Sequence, residues 1–144
     1  MPENVVNGWQ NYIRNIRSSD DYDPQQARDY LEIRKKLTKA LHDAGAGLLL
    51  GADAPQIFNP PGYSAHRELE LLVESGLTPY EAIKTGTVNV GNYLGEPDQT
   101  GKVATRYRAD LILLSVNPLE SIPFGESIEG VMVDGTWYWS GDLD

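Results

Sequence analysis

The chain has no cysteine, only two histidines, and no apolar run near the roughly 20 residues that cross a bilayer. Without cysteine there are no disulfides, no zinc–thiolate sites and no thiol nucleophile. Basic residues are also scarce, at 12 Lys and Arg against 21 Asp and Glu, for a net charge of −9. Nucleic-acid backbones and anionic membranes recruit clustered Lys and Arg, so neither is expected as a partner. The densest basic cluster, Arg34-Lys35-Lys36, sits beside Glu32 in a helical pattern and reads as a solvated helix face. The opening residues Met1 to Val6 lack a basic stretch followed by an apolar one, so no signal peptide is expected. A chain with neither leader nor disulfides is assigned by default to the cytoplasm. Its 144 residues suit one domain with a real core.

The first 22 residues are weakly patterned, although Trp9, Tyr12, Ile13 and Ile16 can share one helical face. Asp23-Pro24 is a helix start, with an acceptor at the N-cap and Pro at the first position. Tyr30, Ile33, Leu37, Ala40, Leu41 and Ala44 follow at helical spacing, and Gly45 is a natural stop. A second helix is expected from a Ser64 cap to about Ser75, with Leu69, Leu72 and Val73 inward. Thr78-Pro79-Tyr80-Glu81 has capping-box spacing and begins a third. A short helix is expected over Val88 to Leu94, ending at Gly95. Beyond it the pattern becomes β: an apolar run from Ala109 to Val116, then residues 131 to 139 as a hairpin about Asp134-Gly135.

Between the first two regular helices lies the stretch Ala46-Gly-Leu-Leu-Leu-Gly-Ala-Asp53. It shows no polar alternation and predicts a strand buried on both faces, as in a parallel sheet flanked by helices. The strand opens at Asp53 into a loop, residues 54 to 63, that holds three prolines and Gly62. In α/β barrels and doubly wound sheets the chemistry lies at the C-terminal ends of strands. Asp53 is therefore a candidate metal ligand or general base. A turn-forming or helix-capping role fits its residue type equally well.

Several pieces taken in order carry a resemblance. They are Gly51-Ala52-Asp53 after the apolar strand, Pro61-Gly62-Tyr63-Ser64-Ala65-His66-Arg67-Glu68-Leu69, Gly76-Leu77-Thr78-Pro79-Tyr80-Glu81-Ala82, Thr87-Val88-Asn89, Leu94-Gly95, Arg108-Ala109-Asp110-Leu111 and Asn117-Pro118-Leu119. Residues 47 to 139 resemble the C-terminal third of a metal-dependent amidohydrolase, of the group with imidazolonepropionase-like enzymes and Xaa-Pro dipeptidases. The resemblance implies an α/β fold. Residues 1–95 would be part of a (β/α)8 barrel, its last strand at about 46–52, and residues 96–144 part of the adjoining small β-sandwich. It implies that Asp53 binds a divalent metal, zinc first among candidates, and takes a proton from metal-bound water. Tyr63 and His66 would stand at the barrel mouth as substrate contacts. The substrate would be a small amide, cyclic amide or dipeptide.

The chain departs from that pattern in one respect. Such enzymes carry a His-x-His pair and further histidines, whereas here the two histidines are His42 and His66. A catalytic zinc site needs about three protein ligands, and Asp53 with His66 does not make one. His42 stands at a helix end, where the helix dipole accounts for it. Tyr63 and Phe58 can line a pocket or simply cover the loop, and His66 can be a surface helix residue. Arg67 can meet a substrate carboxylate or pair with Glu70. Trp137 and Trp139 alternate on one strand face as core or interface, and Asp110 is expected to bond nearby backbone.

Two functions remain open. One is a hydrolase of carbon–nitrogen bonds, completed by a missing N-terminal barrel portion or another chain. The other is a non-catalytic truncated domain acting as a self-associating structural or interaction module. Open strand edges and apolar faces predict a homo-oligomer in either case.

Overall fold

A computed structural model describes residues 1–122 and 125–142. Five helices precede a small sheet: α1 Glu3–Arg17, α2 Pro24–Asp43, α3 Tyr63–Glu74, α4 Pro79–Thr85, α5 Val88–Leu94, then β1 Leu111–Leu114, β2 Ile128–Val133 and β3 Thr136–Trp139. No helix among the described residues is long and apolar enough to cross a membrane.

The helix ends follow the local chemistry. Asp23 accepts from the backbone N–H of Gln25 at 2.7 Å and of Gln26 at 3.3 Å, satisfying two of the donors that a helix start leaves unpaired. Gly45 ends α2 with φ +80°, a conformation that costs glycine little. At α4 the Thr78 hydroxyl accepts from Glu81 N–H, and the Glu81 carboxylate accepts from Thr78 N–H at 2.8 Å. Helix α3 departs from expectation. It begins at Tyr63, with Gly62 at the cap position, while Ser64 is buried in the first turn and its N–H already bonds Pro60 O at 3.1 Å.

The core is small and lies between α3 and α4. Leu72, Leu77 and Ala82 are buried, with Leu48, Leu50, Leu69 and Val73 packed on them. Helix α2 meets this unit with its polar side. Lys35 reaches Glu74 of α3 at 2.8 Å, and His42 Nε2 stands 3.8 Å from Glu81 of α4. Its apolar residues Tyr30, Ile33, Leu37 and Leu41 are exposed. That stripe is one face of the helix at 3.6-residue spacing, the pattern of a face made to be covered.

Residues 46–52 differ most from expectation. They form no ladder with any described strand, and no parallel pairing occurs. Leu48, Leu50 and Ala52 are half-buried, whereas Gly47, Leu49 and Gly51 are exposed. This period of two is that of an extended chain, with one face packed by the described residues and the other open. A central parallel strand needs neighbours on each side and helices above and below. The described residues supply neither neighbour.

The sheet, by contrast, finds its pairings within the chain, as an open antiparallel sheet in the order β1-β2-β3. Asp134 and Gly135 both have positive φ, +48° and +78°, as a two-residue type I′ hairpin requires. Asp110, just before β1, accepts from Asp134 N–H at 2.8 Å, and Gly135 N–H bonds Ala109 O at 3.0 Å. The backbone that Asp110 bonds is thus near in space and 24 residues away in sequence. Trp137 lies across Gly130, where a Cβ would stand 2.6 Å from its ring.

Candidate active site

Asp53 stands where the 46–52 segment ends, with φ +52° and its side chain exposed. The left-handed backbone turns the chain sharply, a conformation that Asp adopts more readily than most residues. Two side chains of the following loop reach back. The Gln56 amide donates to the Asp53 carboxylate, and the Asn59 amide donates to Ala52 O. Gln56 and Asn59 also exchange backbone hydrogen bonds, at 3.2 and 2.9 Å. The loop is therefore tied to the end of the segment that carries Asp53. Phe58 has φ +54° and packs on Trp9 of α1, with ring centroids 5.4 Å apart.

The segment itself is held from α4 and α5. Leu50 N–H donates to Thr85 O at 3.1 Å, and the Asn89 amide donates to Leu48 O at 2.8 Å. Gly86 lets the two approach, since a Cβ there would stand 2.9 Å from Leu50 Cδ2.

Tyr63 and His66 lie in the first turn of α3, directly after this loop. Tyr63 is exposed and His66 half-buried. No hydrogen bond or ion pair joins His66 to Asp53 among the described residues. Arg67 pairs with Glu70 at 2.8 Å, and also with Glu74 at 3.0 Å. Lys35 first, and then Arg67, hold the Glu74 carboxyl below its ordinary range. Burial pushes the Glu68 carboxyl up, with Arg34 opposing it. His42, at the end of α2, stands 3.5 Å from Asp43 as well as near Glu81, which adds two carboxylates to the dipole that sequence alone suggests.

Among the described residues no group of three or more His, Cys, Asp or Glu side chains converges as a metal site requires. The carboxylate of Asp53 meets an amide donor from Gln56 instead. These residues alone do not fit a catalytic metal centre, in agreement with the missing histidines. Gln56 and Asn59 escaped the sequence reading, although Asn59-Pro60 carries a turn signal that points to the loop. Asn89 entered it only within Thr87-Val88-Asn89, with no role attached.

Comparison with known proteins places these features. The profile of the Amidohydrolase family matches residues 14–138. Ochratoxinase of Aspergillus niger is 37% identical over 100 residues, covering 68% of this chain and 19% of that one. Imidazolonepropionase of Kosmotoga olearia is 29% identical over 99 residues, covering 66% of this chain and 23% of that one. Among solved structures, a bottromycin amidohydrolase superposes with a TM-score of 0.75 at 25% identity, over 99% of this chain and 31% of the other. The chain spans about a fifth of the length of the curated relatives it matches. Its fold is α/β, and the chain belongs to the amidohydrolase family.

Proposed function

We propose that the chain is the Asp53-bearing part of a metal-dependent hydrolase of carbon–nitrogen bonds, incomplete by itself. In this reading residues 1–95 belong to a (β/α)8 barrel with 46–52 as its last strand. Residues 96–144 belong to the adjoining β-sandwich. Asp53 serves as metal ligand and general base, while Tyr63 and His66 face a small amide or dipeptide-like substrate. The remaining ligands of a divalent metal, zinc first, come from outside the described residues.

The observation that carries this reading is the family match across residues 14–138, which spans an acid at the end of an extended apolar segment. Relatives named amidohydrolase and phenylurea hydrolase support the bond class. The lack of a ladder along 46–52 among the described residues supports a missing sheet neighbour, and its one-sided burial supports a missing layer. The open stripe of α2 and the exposed Leu49 support a covering partner, either further barrel or a second copy.

The non-catalytic reading keeps one specific observation, the lack of a converging ligand group. Metal content of the purified chain, wild type and Asp53→Asn, separates the two. Stoichiometric zinc that vanishes in the variant is expected if copies assemble a site. No metal in either protein would favour the structural module. Asp53→Asn should leave the melting temperature nearly unchanged, because an exposed loop carboxylate carries little of the fold. A large drop in a thermal scan would make Asp53 a structural turn residue.

A further inference from the structure

An extended segment in a sheet has its lengthwise register fixed by a ladder, and residues 46–52 have none. Beyond the Ala46 N–H bond to Leu41 O at 2.9 Å that closes α2, what fixes them is a set of three hydrogen bonds to alternate residues. Asn89 donates to Leu48 O, Leu50 N–H donates to Thr85 O, and Asn59 donates to Ala52 O. In an extended chain alternate residues direct their N–H and C=O to the same edge, so all three act along one edge. Thr85 and Asn89 flank Gly86, the residue on which Leu50 rests. The turn between α4 and α5 thus anchors this edge of the segment within the chain.

We infer that Asn89 is a positioning residue for Asp53. Its side chain fixes where the segment stops along its own axis. A slip of one residue would carry Asp53 about 3.3 Å and turn it to the opposite face. A misplacement of about 1 Å at a reacting group can cost a hundredfold in rate. The Leu50–Thr85 bond is made of backbone atoms only and is available to any sequence. Asn89 is the member contributed by a side chain from a different helix, 41 residues away. It therefore ties Asp53 to the helical core rather than to its own loop. The inference rests on the assignment of Asp53 to the active site, and it adds a residue that acts without touching substrate.

The test uses the whole chain and three variants, Asn89→Ala, Asn89→Gln and Gly86→Ala, followed by residue-resolved amide exchange and the Asp53 backbone and carboxyl resonances. Asn89→Ala should speed exchange at Leu50 about three- to tenfold, the range for one lost hydrogen bond. It should shift both Asp53 resonances and leave the core amide of Leu77 unchanged. Asn89→Gln keeps a donor and should restore the Asp53 resonances toward wild type. Gly86→Ala displaces Leu50 and should shift Asp53 as Asn89→Ala does. Unmoved Asp53 resonances in both Asn89→Ala and Gly86→Ala would overturn the inference. So would a change in Asn89→Ala that extends equally to Leu77, or one that Asn89→Gln fails to reverse. Zinc added to the wild type probes the other assumption. If zinc leaves Asp53 unperturbed while the variants still shift it, the active-site reading of Asp53 fails and the positioning by Asn89 stands.

Discussion

Two leucine-rich stretches of this chain have nearly the same composition and opposite fates. Residues 111–114, Leu-Ile-Leu-Leu, pair with β2 in an antiparallel ladder whose register shifts between Leu113 and Leu114. Residues 48–50, Leu-Leu-Leu, pair with no strand among the described residues and show one face to solvent. The difference lies outside the stretches themselves. Strand β1 finds its partner in the same chain, and the Asp134-Gly135 turn with the Asp110 bonds sets the register. The 46–52 segment has the composition of a central strand and no neighbour to meet. Composition specifies what a segment can become, and the partner decides whether it does.

Glycines make the sharpest test. Gly130 on β2 lies under Trp137, so Gly130→Ala forces the ring or the strand to move and should cost about 1–3 kcal/mol. Gly51 has nothing within 4 Å of a built Cβ, and Gly51→Ala should stay within about 0.5 kcal/mol of wild type. Urea unfolding followed by tryptophan fluorescence reads both. Equal effects would mean that the sheet and the 46–52 segment are equally packed.

Acid should act on the hairpin as well. The Asp134 N–H and, after it, Arg108 hold the Asp110 carboxyl below its ordinary value of 3.8. A carboxyl depressed in the folded state contributes stability above its unfolded value, and that contribution fades as pH falls through the folded value. The wild-type hairpin should therefore weaken below about pH 4, and Asp110→Asn should flatten that acid limb of the melting curve. An unchanged limb would remove Asp110 from the account.

The smallest effect on folding, and the clearest on assembly, is expected from Leu49→Lys. Leu49 is 41% exposed on the unpaired segment. A charge there should leave the melting temperature nearly fixed and shift light scattering toward monomer. A wild type that is already monomeric over a wide concentration range would mean that the segment needs no partner of its own kind.

The sequence disclosed those features whose signal is local. Asp23-Pro24 and Thr78 with Glu81 announce their helices because a cap lies within three residues of the donors it satisfies. Asp134-Gly135 announces its hairpin because the turn requires positive φ. The start of α3 lies two residues before the expected Ser64 cap, since Ser64 is a good cap by type while Gly62 takes that position without a side-chain bond. The ties around Asp53 were legible only in part. Gln56 and Asn59 lie in a marked loop, but their bonds depend on how it folds back. Asn89 acts across 41 residues, and no periodicity or spacing reports such a contact. The apolar stripe of α2 was visible as a helix, yet its turning outward follows from Lys35 and His42 facing α3 and α4.

The Glu74 carboxylate has one more consequence. It serves Lys35 of α2 and Arg67 of its own helix together. The two attachments are therefore not independent fasteners but spokes on a single hub. One protonation event, or one substitution at Glu74, unfastens both at once, whereas loss of either cation leaves the other spoke in place. Only the Lys35 spoke crosses from α2 to α3, so the hold of this carboxylate on α2 is a single ion pair.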